Sequence, residues 1–366
     1  RLERTLDLCR NLYNCALEER RTAYRHNGIS VTYVSQANQL PAIKRDLPEY
    51  QEVGSQVLQD VLRRLDNAFK AFFRRLRNGE KPGYPRFKGR NRYDSFTYPQ
   101  AGMGWRLSGK KLHLTKIGTL KLRLHRPLQG EIKTVTIRRS AGRWYVCFSV
   151  ELPKPEPLPK TGKRVGIDVG IESFATTSDG TQVENPRWYR KAEWELKQAQ
   201  RKVSKRKKGS KRRAKAVRQL QRVHAKIGNQ RRDFHHKLAN KLVEKNDVIA
   251  FEQLNIKGMV RNKYLAKSIS DAGWGQFLRL LCTKAAEAGR AAIAVKPNLS
   301  SQLCSRCGKR VDKGLSQRWH ACPHCGLSLH RDHNSALIIL QWGTTGRGDA
   351  NLCIASSVVE ARSPCL

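Results

Sequence analysis

Four cysteines and three acids carry the chemistry legible in this chain. Cys304-x-x-Cys307 and Cys322-x-x-Cys325 are separated by fourteen residues, and Gly308 and Gly326 follow the two pairs. This is zinc-ribbon spacing: paired thiolates on two tight turns close a tetrahedron, and the glycines permit the turns. Four protein ligands leave no open coordination position, so the expected Zn2+ is structural. His320, His324 and His330 could stand in as ligands; the simpler reading makes them surface or nucleic-acid contacts. The other six cysteines (Cys9, Cys15, Cys147, Cys282, Cys353, Cys365) are scattered and read as ordinary small side chains.

The acids are Asp168, Glu252 and Asp332. Asp168 sits inside the apolar run Val165-Gly-Ile-Asp-Val-Gly170, and Glu252 closes Asp247-Val-Ile-Ala-Phe-Glu252. Asp332 opens an apolar helix ending near Leu340, where the helix dipole favours a negative charge. A carboxylate in an apolar strand is costly to bury without a cation, a basic partner or a proton. Each acid alone has a plain role: Asp168 a turn cap, Glu252 an ion-pair partner, Asp332 an N-cap. Together, at the ends of three core elements, they would repel one another strongly. Two Mg2+ ions, hard cations that prefer oxygen ligands, would relieve the repulsion. The same ions would activate a water and stabilise the leaving oxygen in phosphodiester cleavage.

The elements that must position these residues follow from periodicity. Residues 1–80 read as helical, with Leu2, Leu6, Cys9, Tyr13, Ala16 and Leu17 on one stripe. A second helix starts near Ser55 as N-cap and ends at Asn78-Gly79. Its stripe is Leu58, Leu62, Leu65, Phe69, Phe72 and Leu76; Arg63, Arg64, Lys70, Arg74 and Arg75 fall largely off it. From Lys81 to Val150 the pattern alternates, with Leu112, Leu114, Leu120, Leu122 and Leu124 facing one way and Lys111, His113, Lys121, Arg123 and His125 the other. A hairpin pairs Thr134–Arg139 with Trp144–Val150 around Ala141-Gly142. This predicts a small, barrel-like β-domain, and the Pro-rich run 152–159 a linker. Strands are then expected at the Asp168 segment, at Phe174–Thr177, at Thr181–Val183 after an Asp-Gly turn, at 247–252 and at Ala291–Val295. Ser270–Gly289 reads as a helix burying Trp274, Phe277, Leu278 and Leu281.

Charge narrows the partner. Lys and Arg number 72 against 30 acids in 366 residues, a formal net charge of +42. Such an excess opposes compaction, and its simplest explanation is a polyanion, with nucleic acid ahead of a membrane surface. Between Arg187 and Arg232 there are 19 Lys/Arg against Glu193 and Glu195, about +17 locally. The peak, Lys205, Arg206, Lys207, Lys208, Lys211, Arg212 and Arg213, reads as a joint between two helices. It interrupts core strands, which points to phosphate binding rather than a solvated tail. No apolar run approaches ~20 residues and no leader-like segment stands out, so a soluble, intracellular protein is expected. Ten cysteines in so long a chain do not suggest a disulfide scaffold.

Several segments together resemble the TnpB family of transposon-encoded, RNA-guided DNA nucleases, relatives of the type V CRISPR effectors. They are Gly83-Tyr-Pro-Arg-Phe-Lys88, Val165–Ile171, Phe251-Glu-Gln-Leu-Asn255, Ser268–Gly275, Ser300–Gly308 and Arg331-Asp-His-Asn-Ser-Ala336. The resemblance implies a helical recognition domain over 1–80 and a β wedge domain over 81–152, with a linker at 153–163. It implies a RuvC-like, RNase H-type nuclease domain over 164–302, a zinc-ribbon insertion at 303–330, a last helix at 331–342 and a tail at 343–366. Asp168, Glu252 and Asp332 match the family's catalytic acids. The implied partners are a guide RNA from the transposon end and a double-stranded DNA target, in a cytoplasmic, nucleoid-associated protein; the oligomeric state stays open, with a monomer favoured. The protein would read heteroduplex shape and a short motif beside the target. Tyr84, Arg86, Lys88, Arg63 and Arg74 are expected at nucleic acid, and Tyr33, Ser55, Gln56 and Gln59 are candidates for reading the motif. Helical pattern begins at Arg1 without a Met, so further N-terminal sequence, including the wedge domain's opening strand, is expected. Rival readings are an RNA-independent nuclease, a nucleic-acid-binding regulator, and a strand-transferring transposase.

Overall fold

The computed structural model describes residues 1–153, 155–296, 300–314, 317–346 and 350–353. They fall into two compact units, Arg1–Pro153 and Lys154–Leu366. Among the described residues no helix is long and apolar enough to cross a membrane.

The first unit opens with α1 (Leu2–Asn27), α2 (Tyr33–Asp46), a 3-10 turn over Pro48–Glu52, and α3 (Ser55–Arg77). The stripe expected on α1 is buried, from Leu6 and Cys9 to Ala16 and Leu17. Helix α2 had no signal of its own in the sequence. It buries only Gln36 and Leu40, carries Pro41 internally, and is held at its start by a Thr32–Ser35 capping box. The expected cap Ser55 is instead the first residue of α3, after Gly54. Its hydroxyl accepts a bond from the Lys44 ammonium at 2.8 Å. Leu58, Leu62 and Leu65 are fully buried, whereas Leu76 is 51% exposed, so the apolar stripe outruns its core. Arg64, off the stripe, donates to the Ser95 carbonyl and to Asp60.

Six strands follow: β1 (Ser95–Tyr98), β2 (Trp105–Ser108), β3 (Lys111–Leu114), β4 (Gly118–Lys121), β5 (Glu131–Ser140) and β6 (Arg143–Glu151). Ala141 and Gly142 both take positive φ (49° and 74°), the two-residue turn that matches strand twist. The barrel-like expectation resolves into two antiparallel sheets, β1-β5-β6 and β2-β3-β4. Four-residue strands β2–β4 form their own sheet, and both sheets share one apolar core with α1 and α3.

The second unit is built on a six-stranded sheet. Strands β7 (Arg164–Val169), β8 (Ser173–Thr177) and β9 (Gln182–Glu184) form an antiparallel meander. The hairpin α4 (Trp188–Ser204) and α5 (Lys211–Lys245) then intervenes, as the basic stretch predicted. Strand β10 (Val248–Glu252) returns parallel to β7. Helices α6 (Ile256–Met259), α7 (Ala266–Ala272) and α8 (Trp274–Glu287) lead to β11 (Ala291–Val295), parallel to β10. The helix expected over 270–289 is thus two helices, because Gly273 turns left-handed at φ 68°. The hairpin β12 (Trp319–Ala321) and β13 (Ser328–His330) precedes α9 (Arg331–Thr345), and β14 (Asn351–Leu352) adds antiparallel to β11. The sheet order is β14-β11-β10-β7-β8-β9. The far end of the tail, with Cys365, lies outside the described residues.

The linker docks rather than hangs free. Arg290 donates to the Pro159 carbonyl and to Asp247, while Asp247 accepts from the Thr161 and Gly162 amides.

Helix α9 is seated by two glycines. A Cβ on Gly166 of β7 would lie 2.1 Å from the Ala336 carbonyl oxygen and 2.8 Å from the Leu340 Cβ. A Cβ on Gly343 would lie 2.5 Å from the Ala250 Cβ in β10. The helix therefore crosses β7 and β10 at backbone distance. Gly166→Ala must push α9 away, and it is expected to cost at the upper end of the about 1–3 kcal/mol of an overpacked core. Chemical denaturation measures this; an unchanged midpoint would contradict the close crossing.

Candidate active site

The sheet register brings the first two acids level. Strands β7 and β10 run parallel with Ile167 opposite Phe251, and Asp168 and Glu252 are the next residues along. Helix α9 delivers the third acid. It runs back along β7, so from Ala336 over Gly166 one turn toward its start reaches Asp332. A Cβ on Gly170 would lie 3.9 Å from the Asp332 Oδ2. All three carboxylates thus stand at one end of the sheet. Asp332 is buried, and Asp168 and Glu252 are half-buried.

The charges acting on Asp168 agree with that placement. Burial pushes the Asp168 carboxyl well above the usual carboxylate range, and the charges of Glu252 and Asp332 push it further; Arg331 opposes. Burial also raises Glu252, against the lowering effect of the hydroxyl that Ser300 donates to it. Asp332 has Arg331 Nε 3.5 Å from its Oδ1, and its own amide donates to His330 Nδ1 at 3.3 Å. His330, not Asp332, is therefore the N-cap of α9.

These raised values carry a sign. Folded Asp168 keeps its proton to higher pH than unfolded Asp168, so folding without metal loses stability as pH rises from the usual carboxylate range up to the raised value of the folded group. Metal-free Asp168→Asn is therefore expected to melt above wild type at neutral pH. The gap closes below about pH 4, where the carboxyl is protonated in both states. A gap that persists unchanged in acid would exclude this cause.

The four cysteines form a second cluster. Their sulfurs all lie within 4.8 Å of one another. Cys304 and Cys325 stand 3.6 Å apart, as do Cys307 and Cys322. A zinc tetrahedron with bonds of about 2.3 Å has edges of about 3.8 Å, so the sulfurs fit one ion. The Gly308 and Gly326 amides donate back to the Cys304 and Cys322 carbonyls, forming the two knuckles. Among the described residues this is the one group of three or more ligand types gathered so tightly.

The histidines part company. His320 is fully buried, with its Nδ1 against the Lys313 ammonium, so it is neither the surface contact expected nor one of the sulfur cluster. His324 is exposed. Asn334, which sequence reasoning passed over, joins the two clusters. Fully buried, it accepts from the Ser305 amide at 2.9 Å and donates to the Leu303 carbonyl at 2.6 Å. It thus ties the first knuckle to α9 two residues beyond Asp332. Asp271, also missed, accepts from the Tyr189 amide of α4 and from Arg231 of α5, clasping the basic hairpin to α7. A buried acid within Ser268–Gly275 and a polar residue on the buried face of α9 were the available signals.

The residues expected at nucleic acid are scattered over both units. Tyr84 stands edge-on to Phe69 and Phe72, at 5.5 and 5.4 Å between ring centres. Arg86 and Arg74 are exposed. Lys88 has its backbone held on both sides by the Asn14 amide. The Arg63 guanidinium lies 5.5 Å over the Tyr33 ring, so those two pair with each other. Gln56 donates to Gln100 at 2.6 Å, and Gln59 is exposed. Lys205, Arg206, Lys207, Lys208, Lys211 and Arg212 are exposed around the α4–α5 turn, while Arg213 is half-buried and its amide donates to the cap Ser210.

A mixed sheet with acids at adjacent strand ends, and a helix bearing a third acid just after a four-cysteine cluster, defines a class. The fold matches that of the Cas12f1 chain in a cryo-electron microscopy complex with sgRNA and target DNA. The TM-score is 0.58 over 92% of this chain and 81% of that one, at 15% identity. Residues 147–263 match the OrfB IS605 family, described as "probable transposase", and residues 274–339 match the Cas12f1-like TNB domain. A Streptomyces pristinaespiralis protein named "putative RNA-guided DNA endonuclease" is 38% identical over 93% of this chain and 85% of its own length. InsQ of Escherichia coli K12, given the same description, is 32% identical over 93% and 88%. The chain belongs to the TnpB family.

Proposed function

We propose that this chain is an RNA-guided DNA endonuclease that cleaves its target by metal-dependent phosphodiester hydrolysis. The observation that carries the reading is the convergence of Asp168, Glu252 and Asp332 from β7, β10 and α9 at one sheet end. The names and contexts of its relatives supply the partners: a guide RNA and double-stranded DNA. Three antiparallel strands followed by two parallel ones, with acids at the β7 and β10 ends, support a RuvC-like, RNase H-type domain. On this reading residues 1–80 recognise nucleic acid, 81–152 form the wedge, and 303–330 are a structural zinc ribbon.

Asp168, Glu252 and Asp332 would hold two Mg2+ ions. Three carboxylates from separate elements offer oxygen ligands enough for a pair of hard cations, the arrangement that two-metal hydrolysis uses. Bound there, the ions supply a nucleophilic water and charge for the leaving oxygen. The chain's own part is to hold ionised carboxylates level at the strand ends. Ser300 orients Glu252, and the His330 cap sets the first turn of α9. Sequence choice is delegated to base pairing, with basic side chains holding backbone phosphates.

The test is reprogramming. The full chain is purified with its native flanking locus, and the bound RNA is sequenced. Replacing the guide segment is expected to redirect Mg2+-dependent cleavage to the newly matched DNA. Cleavage that ignores the guide, or proceeds without RNA, would overturn the reading.

A further inference from the structure

Helices α4 and α5 leave a cleft between them that the sequence did not announce. It has a volume of about 330 Å³, at the small end of ligand-sized pockets. Trp194, Glu195, Gln198, Ala199 and Lys202 line it from α4, and Gln219 and Val223 from α5. Trp194, Gln198 and Lys202 recur every fourth position, so they form one row about 12 Å long, with Glu195 beside the Trp194 end. Ala199 and Val223, 4% and 6% exposed, belong to its buried side, over an apolar seam that includes Leu196 and Ile227. Trp194 is 73% exposed, unusual for a side chain that is mostly buried in folded proteins.

We infer that this cleft takes an unpaired nucleobase of a bound strand, with the Trp194 indole as its stacking face and Lys202 at the adjoining phosphate. The inference rests on the nucleic-acid reading above and adds a base-binding site to it. An indole attracts a base through its exposed face, and bases within a duplex have both faces covered. The Gln198 and Gln219 amides each offer donors and an acceptor, which suits the edge of a base. Neither makes a hydrogen bond to another residue among those described. The hairpin's local excess of about +17 favours a polyanion over an apolar or acidic protein surface.

The experiment uses the RNA-free full chain without Mg2+, and reads binding by fluorescence anisotropy. The probes are a labelled oligoadenylate RNA and an abasic oligomer of equal phosphate number. Trp194→Ala is expected to weaken oligoadenylate binding about 5- to 150-fold, the range for losing one stacked base. It leaves abasic binding and the salt dependence unchanged, and Trp194→Phe restores most of the loss. The Gln198→Ala/Gln219→Ala double variant weakens oligoadenylate alone, by a smaller factor. An unchanged affinity, or equal weakening of both probes, overturns the inference while leaving nucleic-acid binding intact. Adenosine monophosphate competing as well as the oligomer would make this a free-nucleotide site and overturn it too. Failure of wild type to bind either probe would sink both this inference and the function it rests on.

Discussion

Asp168→Ala is expected to lower guide-directed DNA cleavage by about 10³-fold or more, while RNA and DNA binding remain within a few fold of wild type. The separation follows from position. Asp168 lies at a strand end beside Glu252 and Asp332, and removing an acid takes no cation away from the phosphates of a bound strand. Without metal its carboxyl is a strained group that burial and two like charges drive toward protonation, so removing it does not unfold β7. Asp168→Asn keeps the shape and loses the charge, and it is expected to be as inactive as alanine. Cleavage and filter-binding assays on the same preparations decide the matter. Loss of RNA binding together with cleavage would make Asp168 structural.

Removing the four-cysteine cluster, the proposed zinc site, is expected to have the second largest effect, and through a different route. Structural zinc in small cysteine sites contributes apparent free energies of about 10–16 kcal/mol, so its segment does not fold without the ion. Cys304→Ser, or exhaustive chelation, should expose residues 303–330 to protease. The damage travels further because Asn334 binds Ser305 and Leu303, and Gln341 binds the Ser305 carbonyl. With the knuckle lost, the first turn of α9 loses two anchors and Asp332 its placement. Cleavage then falls even in excess Mg2+. Metal analysis should find one zinc per wild-type chain and none in the variant, while Cys147→Ser retains both metal and activity. A chelated chain that still resists protease would contradict this account.

The sequence reading reached furthest where one physical requirement dominates. Apolar strands with a lone acid, and cysteine pairs with glycine knuckles, each have few alternative uses. Asp168, Glu252, Asp332 and the four cysteines are therefore legible as candidates from type and spacing. Weakly amphipathic or composite elements were missed. Helix α2 rests on a capping box and two buried residues, and the break at Gly273 is a single left-handed residue inside a helical pattern. The roles of Ser55 and His320 depend on partners distant in sequence, Lys44 for one and burial beside Lys313 for the other. Tyr33 and Gln56 likewise engage Arg63 and Gln100, which no periodicity reveals. The close crossing of α9 over Gly166 and Ala250 explains why glycine stands in β7 next to a helix bearing the third acid. That reason appears only once the chain is folded.

The most direct measurement is the stoichiometry of Mn2+ binding, with Mn2+ standing in for Mg2+, to the zinc-loaded chain with guide RNA and uncleaved target bound. Two ions per chain are expected at the acid cluster in wild type, and removal of any one of Asp168, Glu252 or Asp332 should disrupt the pair. If Asp332→Ala or Glu252→Ala binds both ions as wild type does, the three carboxylates do not share a metal centre, and the hydrolytic site lies elsewhere.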